Sequence, residues 1–104
     1  MSRSTGTPDE SVAVEIKRVT APPKLFKVLL HNDHYTTMDF VVDVLMTVFG
    51  KSEIEAVEIM LNVHRAGIGL AGVYPFAVAE TKVAKVHRMA EDEGFPLRCS
   101  IEPE

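Results

Sequence analysis

Two rhythms of apolar and polar positions run along this chain. Leu25-Phe26-Lys27-Val28-Leu29-Leu30 is a dense apolar run between Pro23 and polar Asn32-Asp33, which predicts a strand. From Met38 the period lengthens: Met38, Val41, Val42, Leu45, Val48 and Phe49 recur at three- and four-residue spacing, while Asp39, Asp43 and Thr47 fall on the other face. Thr36-Thr37-Met38-Asp39 reads as a capping box and Gly50 as a stop, so a core-facing helix ending near Phe49 is predicted. Ser52-Glu53-Ile54-Glu55 repeats the capping pattern for a second helix, with Ile54, Val57, Met60, Leu61 and His64 on one stripe and Gly67 as terminator.

Ile68 to Tyr74 mixes Gly69 and Gly72 with apolar residues before Pro75, a composition that suits a short strand with close backbone approach. Phe76 to Glu93 returns to the helical period, with Val78, Ala79, Val83, Val86 and Ala90 inward, Glu80, Lys82 and Lys85 outward, and Gly94 as the stop. Leu97, Cys99 and Ile101 then alternate with Arg98, Ser100 and Glu102, the pattern of a half-buried strand. The order β-α-α-β-α-β predicts an α+β domain in which three helices pack on one face of a small three-stranded sheet. Residues 24–104 form this core, and residues 1–23, rich in Ser, Thr, Gly and Pro and ending in Pro22-Pro23, read as a flexible N-terminal arm. Within that arm Val12, Val14 and Ile16 alternate with other residues, which would suit a short edge strand or a docking peptide.

Composition narrows the function. A chain of 104 residues, 46% hydrophobic and 25% charged, suits a single core, and a deep two-substrate cleft would consume much of its interior. Its single cysteine, Cys99, excludes a disulfide framework and multi-cysteine metal sites and fits a reducing compartment, so the cytoplasm is expected. No apolar run approaches the roughly 20 residues of a membrane span, and the first residues lack the apolar segment of a secretory signal. Eleven Lys and Arg against fifteen Asp and Glu, a net charge of −4, oppose phosphate neutralisation and argue against nucleic acid as a partner.

The densest polar cluster is His31-Asn32-Asp33-His34, between the first strand and a helix N-terminus, and His64 on the second helix would approach it if the two helices form a hairpin. Three readings are open. Asn32 and Asp33 could simply form a turn and His64 pair with a carbonyl. His31, Asp33, His34 and His64 could ligate a metal, although neighbouring strand residues point to opposite faces. Or the Asn carbonyl, Asp carboxylate and a His nitrogen could accept hydrogen bonds from a cation, beside an apolar wall of Met38, Val41 and Met60. Neither a nucleophile elbow nor a phosphate-cradling glycine pattern occurs, so no enzyme signature is present.

Leu30-His31-Asn32-Asp33-His34-Tyr35-Thr36-Thr37-Met38-Asp39-Phe40-Val41-Val42-Asp43-Val44-Leu45, then Met60-Leu61-Asn62-Val63-His64, Val78-Ala79-Glu80-Thr81-Lys82-Val83 and Pro96-Leu97-Arg98-Cys99-Ser100, together resemble the ClpS adaptor family from about Lys24 to the C-terminus. The resemblance implies an adaptor, without enzymatic activity, cofactor or metal, that binds proteins beginning with Leu, Phe, Tyr or Trp. It would deliver them to the N-terminal domain of the ClpA-type unfoldase of the ClpAP protease. It implies that Asn32, Asp33, His34 and His64 surround the substrate α-amino group. Leu30, His31, Thr36, Met38, Val41, Met60, Val63 and Leu97 would wall the pocket for the first side chain, Met38 being the gatekeeper against β-branched residues. Tyr74, Glu80, Thr81 and Lys82 would dock on the unfoldase, and the 1–23 arm would serve substrate handover. A monomer is the default.

The chain departs from the family pattern Asn-Asp-Asp-Tyr-Thr-Pro-Met at His34, which stands for the second Asp, and at Thr37, which stands for Pro. A protonated imidazole would repel an ammonium, so binding should be weaker and improve as pH rises from about 6 to 7.5. His31 stands where an aliphatic residue is common, and Ala77 replaces an acidic residue of the docking helix. The alternative to the adaptor is an interaction module of the same fold whose amino-group pocket has drifted, comparable to the C-terminal domain of the ribosomal stalk protein.

Overall fold

The computed structural model describes residues 21–104, so Val12, Val14 and Ile16 and most of the 1–23 arm lie outside the described residues. The elements run β1 (Leu25–His31), α1 (Met38–Thr47), α2 (Glu53–Ala66), β2 (Ile68–Pro75), α3 (Phe76–Glu93) and β3 (Arg98–Pro103), the predicted β-α-α-β-α-β order. β1 is central in an antiparallel sheet of order β2-β1-β3. Val28 and Leu30 of β1, Ala71 of β2 and Cys99 of β3 are buried with Val44 and Leu45 of α1, Ala56 and Val63 of α2 and Ala79, Val86 and Ala90 of α3. The core thus lies between one sheet face and the helices.

Local chemistry sets the boundaries. Ser52 and Glu55 form the reciprocal capping box of α2, with Glu55 N–H donating to Ser52 Oγ at 3.2 Å and Ser52 N–H to Glu55 Oε1 at 3.0 Å. Gly67 ends α2 at φ 87°, a left-handed conformation that side chains with a Cβ resist, and its N–H returns to the Val63 carbonyl. Gly69, the next strand's second residue, lies so close to α2 that a Cβ there would sit 2.6 Å from Val63 Cγ2. β3 is an edge strand whose Cys99 N–H is covered by α3, donating to His87 Nε2 at 3.1 Å.

Several sequence expectations shift in the fold. The cap of α1 is Thr37, whose hydroxyl accepts from Phe40 N–H at 3.1 Å, so the expected Thr36–Asp39 box does not form. The reason is competition: Asp33 takes the Thr36 hydroxyl at 2.7 Å. On α2 the expected stripe is rotated, since Ala56 and Val63 are buried and Ile59 and Met60 pack against them, whereas Ile54 is 75% exposed and His64 is exposed. On α3 Val78 faces outward, and Lys82, expected in solvent, is half-buried against α1.

Candidate functional site

The site grows from the six residues that join β1 to α1. Asn32 N–H donates to the Gly67 carbonyl at 2.9 Å, tying the loop's first residue to the end of α2, one turn beyond His64. Asp33 then organises the turn. Its Oδ1 accepts from Tyr35 N–H at 2.8 Å and Thr36 N–H at 2.7 Å, and its Oδ2 accepts from the Thr36 hydroxyl. Burial pushes this carboxyl up, but the hydrogen bonds from Thr36 and Tyr35, with His34 nearby, outweigh it and hold the group below its ordinary range. Thr37 then caps α1, whose first turns bring Met38 and Val41 to the same hollow.

These elements enclose an open cavity of about 540 Å³. Its polar lining is Asn32, Asp33, His34 and His64, with Thr36 and Thr37, and its apolar lining is Met38, Val41, Met60 and Val63, with Tyr35. Val41 and Val63 form the floor at 7% and 3% exposure, and Met38, 46% exposed, stands on the rim. A small recess of about 10 Å³ adjoins the floor, sharing Val41, Val63 and Thr36 and adding Leu97 and His31. Such a cavity offers hydrogen-bond acceptors for a cation directly beside a slot for an apolar group.

Most of the residues singled out by sequence meet here. Leu30 is the exception: it is fully buried in the core and lines neither hollow, because its side chain points from the sheet into the helix layer beneath. His31 borders only the recess and turns its ring to the other sheet face, where Nε2 and Ser100 Oγ share a 2.7 Å hydrogen bond. That geometry also separates the candidate metal set, and no group of three or more His, Cys, Asp and Glu side chains among the described residues is arranged to hold an ion. Tyr35 and Thr37 line the cavity and were not singled out. An aromatic residue between polar loop residues was the available signal.

The second candidate surface is divided. Tyr74 and Lys82 meet, the Lys82 ammonium lying 5.0 Å from the Tyr74 ring centre and 5.9 Å from that of Phe49. The same ammonium donates to the Val48 carbonyl at 2.8 Å, so it also holds the C-terminal end of α1. Burial pushes the Tyr74 hydroxyl up from its ordinary value. Glu80 and Thr81 point outward from α3, and the Thr81 hydroxyl donates back to the Ala77 carbonyl at 3.0 Å.

Fold and site together define a small α+β domain built around one cavity of mixed polarity. The family model described as "ATP-dependent Clp protease adaptor protein ClpS" matches residues 21–100. The chain is 61% identical over 93 residues to the ATP-dependent Clp protease adapter protein ClpS of Desulfatibacillum aliphaticivorans, covering 89% of each chain. It is 57% identical over 93 residues to the protein of the same name from Oleidesulfovibrio alaskensis, again covering 89% of each. Among solved structures it superimposes on Agrobacterium tumefaciens ClpS2 bound to L-phenylalaninamide with a TM-score of 0.76 and 41% identity, over 80% of this chain and 100% of that one. The chain belongs to the ClpS family, adaptors of the ATP-dependent Clp protease. An adaptor of this kind serves proteolysis without itself being the protease. No helix among the described residues is long and apolar enough to cross a membrane.

Proposed function

We propose that this adaptor binds proteins that begin with Leu, Phe, Tyr or Trp, through the free α-amino group and the first side chain together, and hands them to the ClpAP protease. The observation that carries this reading is the adjacency, within one 540 Å³ cavity, of Asn32 and His64 to the Met38, Val41, Met60 and Val63 wall. The Asn32 carbonyl and a His64 ring nitrogen accept from the ammonium, and Asp33 adds negative charge while bracing the loop. The apolar wall takes the side chain, and Met38 at the rim disfavours β-branched residues. L-Phenylalaninamide, bound by the Agrobacterium relative, carries both features in their smallest form: a free amino group and a benzyl side chain.

Each half has a calculable weight. A charge-assisted hydrogen bond contributes about 1.5–3 kcal/mol, and burying a Phe- or Leu-sized side chain contributes roughly 1.5–3 kcal/mol. Removing either half therefore weakens binding by roughly ten- to hundredfold. Delivery uses the ClpA-type N-terminal domain, docking on the α3 face of Tyr74, Glu80, Thr81 and Lys82, with the 1–23 segment serving handover. The working form is a cytoplasmic monomer.

Anisotropy titration against three labelled peptides that differ only at the start tests the reading: free Phe, N-acetyl-Phe and free Val. Selective binding of free Phe is the expected result. Equal or absent binding to all three would refute it and leave the fold as an interaction module with a drifted pocket.

A further inference from the structure

We infer that Tyr35 is a specificity-determining contact for the second residue of a bound chain, favouring planar side chains, aromatic or guanidinium, at that position. This rests on the binding reading above and adds a feature of the ligand that the first-residue pocket does not specify. Tyr35 is 77% exposed, the highest value among the exposed large hydrophobic residues described. An aromatic ring held in water forgoes the burial that such rings ordinarily gain. Its backbone, by contrast, is braced: its own N–H and that of Thr36 both donate to Asp33 Oδ1, at 2.8 and 2.7 Å. The loop therefore spends hydrogen bonds on presenting a ring that the core does not use.

The ring's position supplies the role. Tyr35 lines the same cavity as Asn32 and His64, whose floor is Val41 and Val63 at 7% and 3% exposure. A first residue with its ammonium at Asn32 and His64 and its side chain on that floor leaves its carbonyl, and everything after it, at the rim. Apart from the imidazoles of His34 and His64, which stand by the ammonium in this reading, Tyr35 and Met38 are the large exposed side chains lining the cavity. Met38 is flexible and offers no flat face, whereas the Tyr35 ring offers one to an aromatic ring or a guanidinium. A glycine in second place makes no such contact.

The test is anisotropy titration at about pH 8, where imidazoles are neutral as a class, with free-Phe peptides carrying Arg, Tyr, Leu or Gly in second place and an acetylated control. Wild-type protein should bind the Arg and Tyr peptides about three- to tenfold more tightly than the Gly peptide, with Leu in between. Tyr35→Ala should compress that spread to below twofold, and Tyr35→Phe, which keeps the ring, should retain it. A flat wild-type series, a spread that survives Tyr35→Ala, or a Tyr35→Phe variant that behaves like Tyr35→Ala would each overturn the inference. Failure of the acetylated control to lose binding would instead bring down the amino-group reading, and the two failures are separable within one titration set.

Discussion

Replacing Asp33 with alanine should cost the protein its ligand affinity more than its fold. Three hydrogen bonds end on this carboxylate: two N–H groups on Oδ1 and the Thr36 hydroxyl on Oδ2. A buried charged bond is worth about 1.5–3 kcal/mol, but this loop meets water, and discounting each contact for screening leaves about 1–2 kcal/mol for the set. Because the loop only shapes the cavity, that free energy reappears at binding, when the ligand must order what Asp33 no longer holds. Affinity for a free-Phe peptide should fall roughly five- to thirtyfold, with a thermal midpoint lowered by only a few degrees. Asp33→Asn keeps one acceptor oxygen for the two N–H groups and removes the charge, so its loss should be smaller. Anisotropy and thermal melts on the same samples measure both quantities. An alanine variant that binds within twofold of the wild type, or an asparagine variant weaker than alanine, would refute the assigned role. The acid limb follows from the same geometry. The folded carboxyl titrates below its ordinary value of 3.8, so its stabilising contribution is complete above that value and is lost as pH falls further, through the folded pKa.

Four other outcomes are expected. Gly69→Ala drives a methyl against Val63 on the cavity floor and should destabilise the fold by about 1–3 kcal/mol in denaturant melts while weakening peptide binding; unchanged values for both would contradict the close approach. Lys82→Met removes the donor to the Val48 carbonyl and should cost about 1 kcal/mol and accelerate hydrogen exchange at the end of α1, which protection at wild-type levels would disprove. Burial pushes the Cys99 thiol up to about 12, so Ellman's reagent should not label it until the protein unfolds, and rapid labelling of native protein would show the strand to be open. His34 lines the cavity where a second carboxylate would add an acceptor for an ammonium, so His34→Asp should bind a free-Phe peptide severalfold more tightly; unchanged affinity would clear that position of any electrostatic role.

What the chain determined locally was legible from its residues. Helix and strand order follows from periodicity together with short-range stops and caps: Gly67 and Gly94 adopt left-handed conformations, and Ser52 and Glu55 cap each other across three residues. The polar cluster at the end of β1 was equally plain, since strand-to-helix loops are where a rigid scaffold presents acceptors. The family resemblance then supplied the roles that no spacing rule contains.

Tertiary structure decided what local rules leave degenerate. α2 carries apolar residues on more than one stripe, and its neighbours β2 and α1 selected Ala56 and Val63 over Ile54, because close packing against Gly69 favours the stripe that fits the strand. Two consecutive threonines could each have capped α1, and Asp33 settled the matter by taking the Thr36 hydroxyl. Lys82 looked solvated by period alone, yet a carbonyl 34 positions earlier in the chain binds its ammonium. Leu30, next to the site in sequence, points into the core because strand residues alternate faces, while Tyr35 reaches the cavity because its loop folds back on Asp33. Each of these choices depends on contacts between residues that meet only after the chain has folded. Local periodicity and capping cannot carry that information.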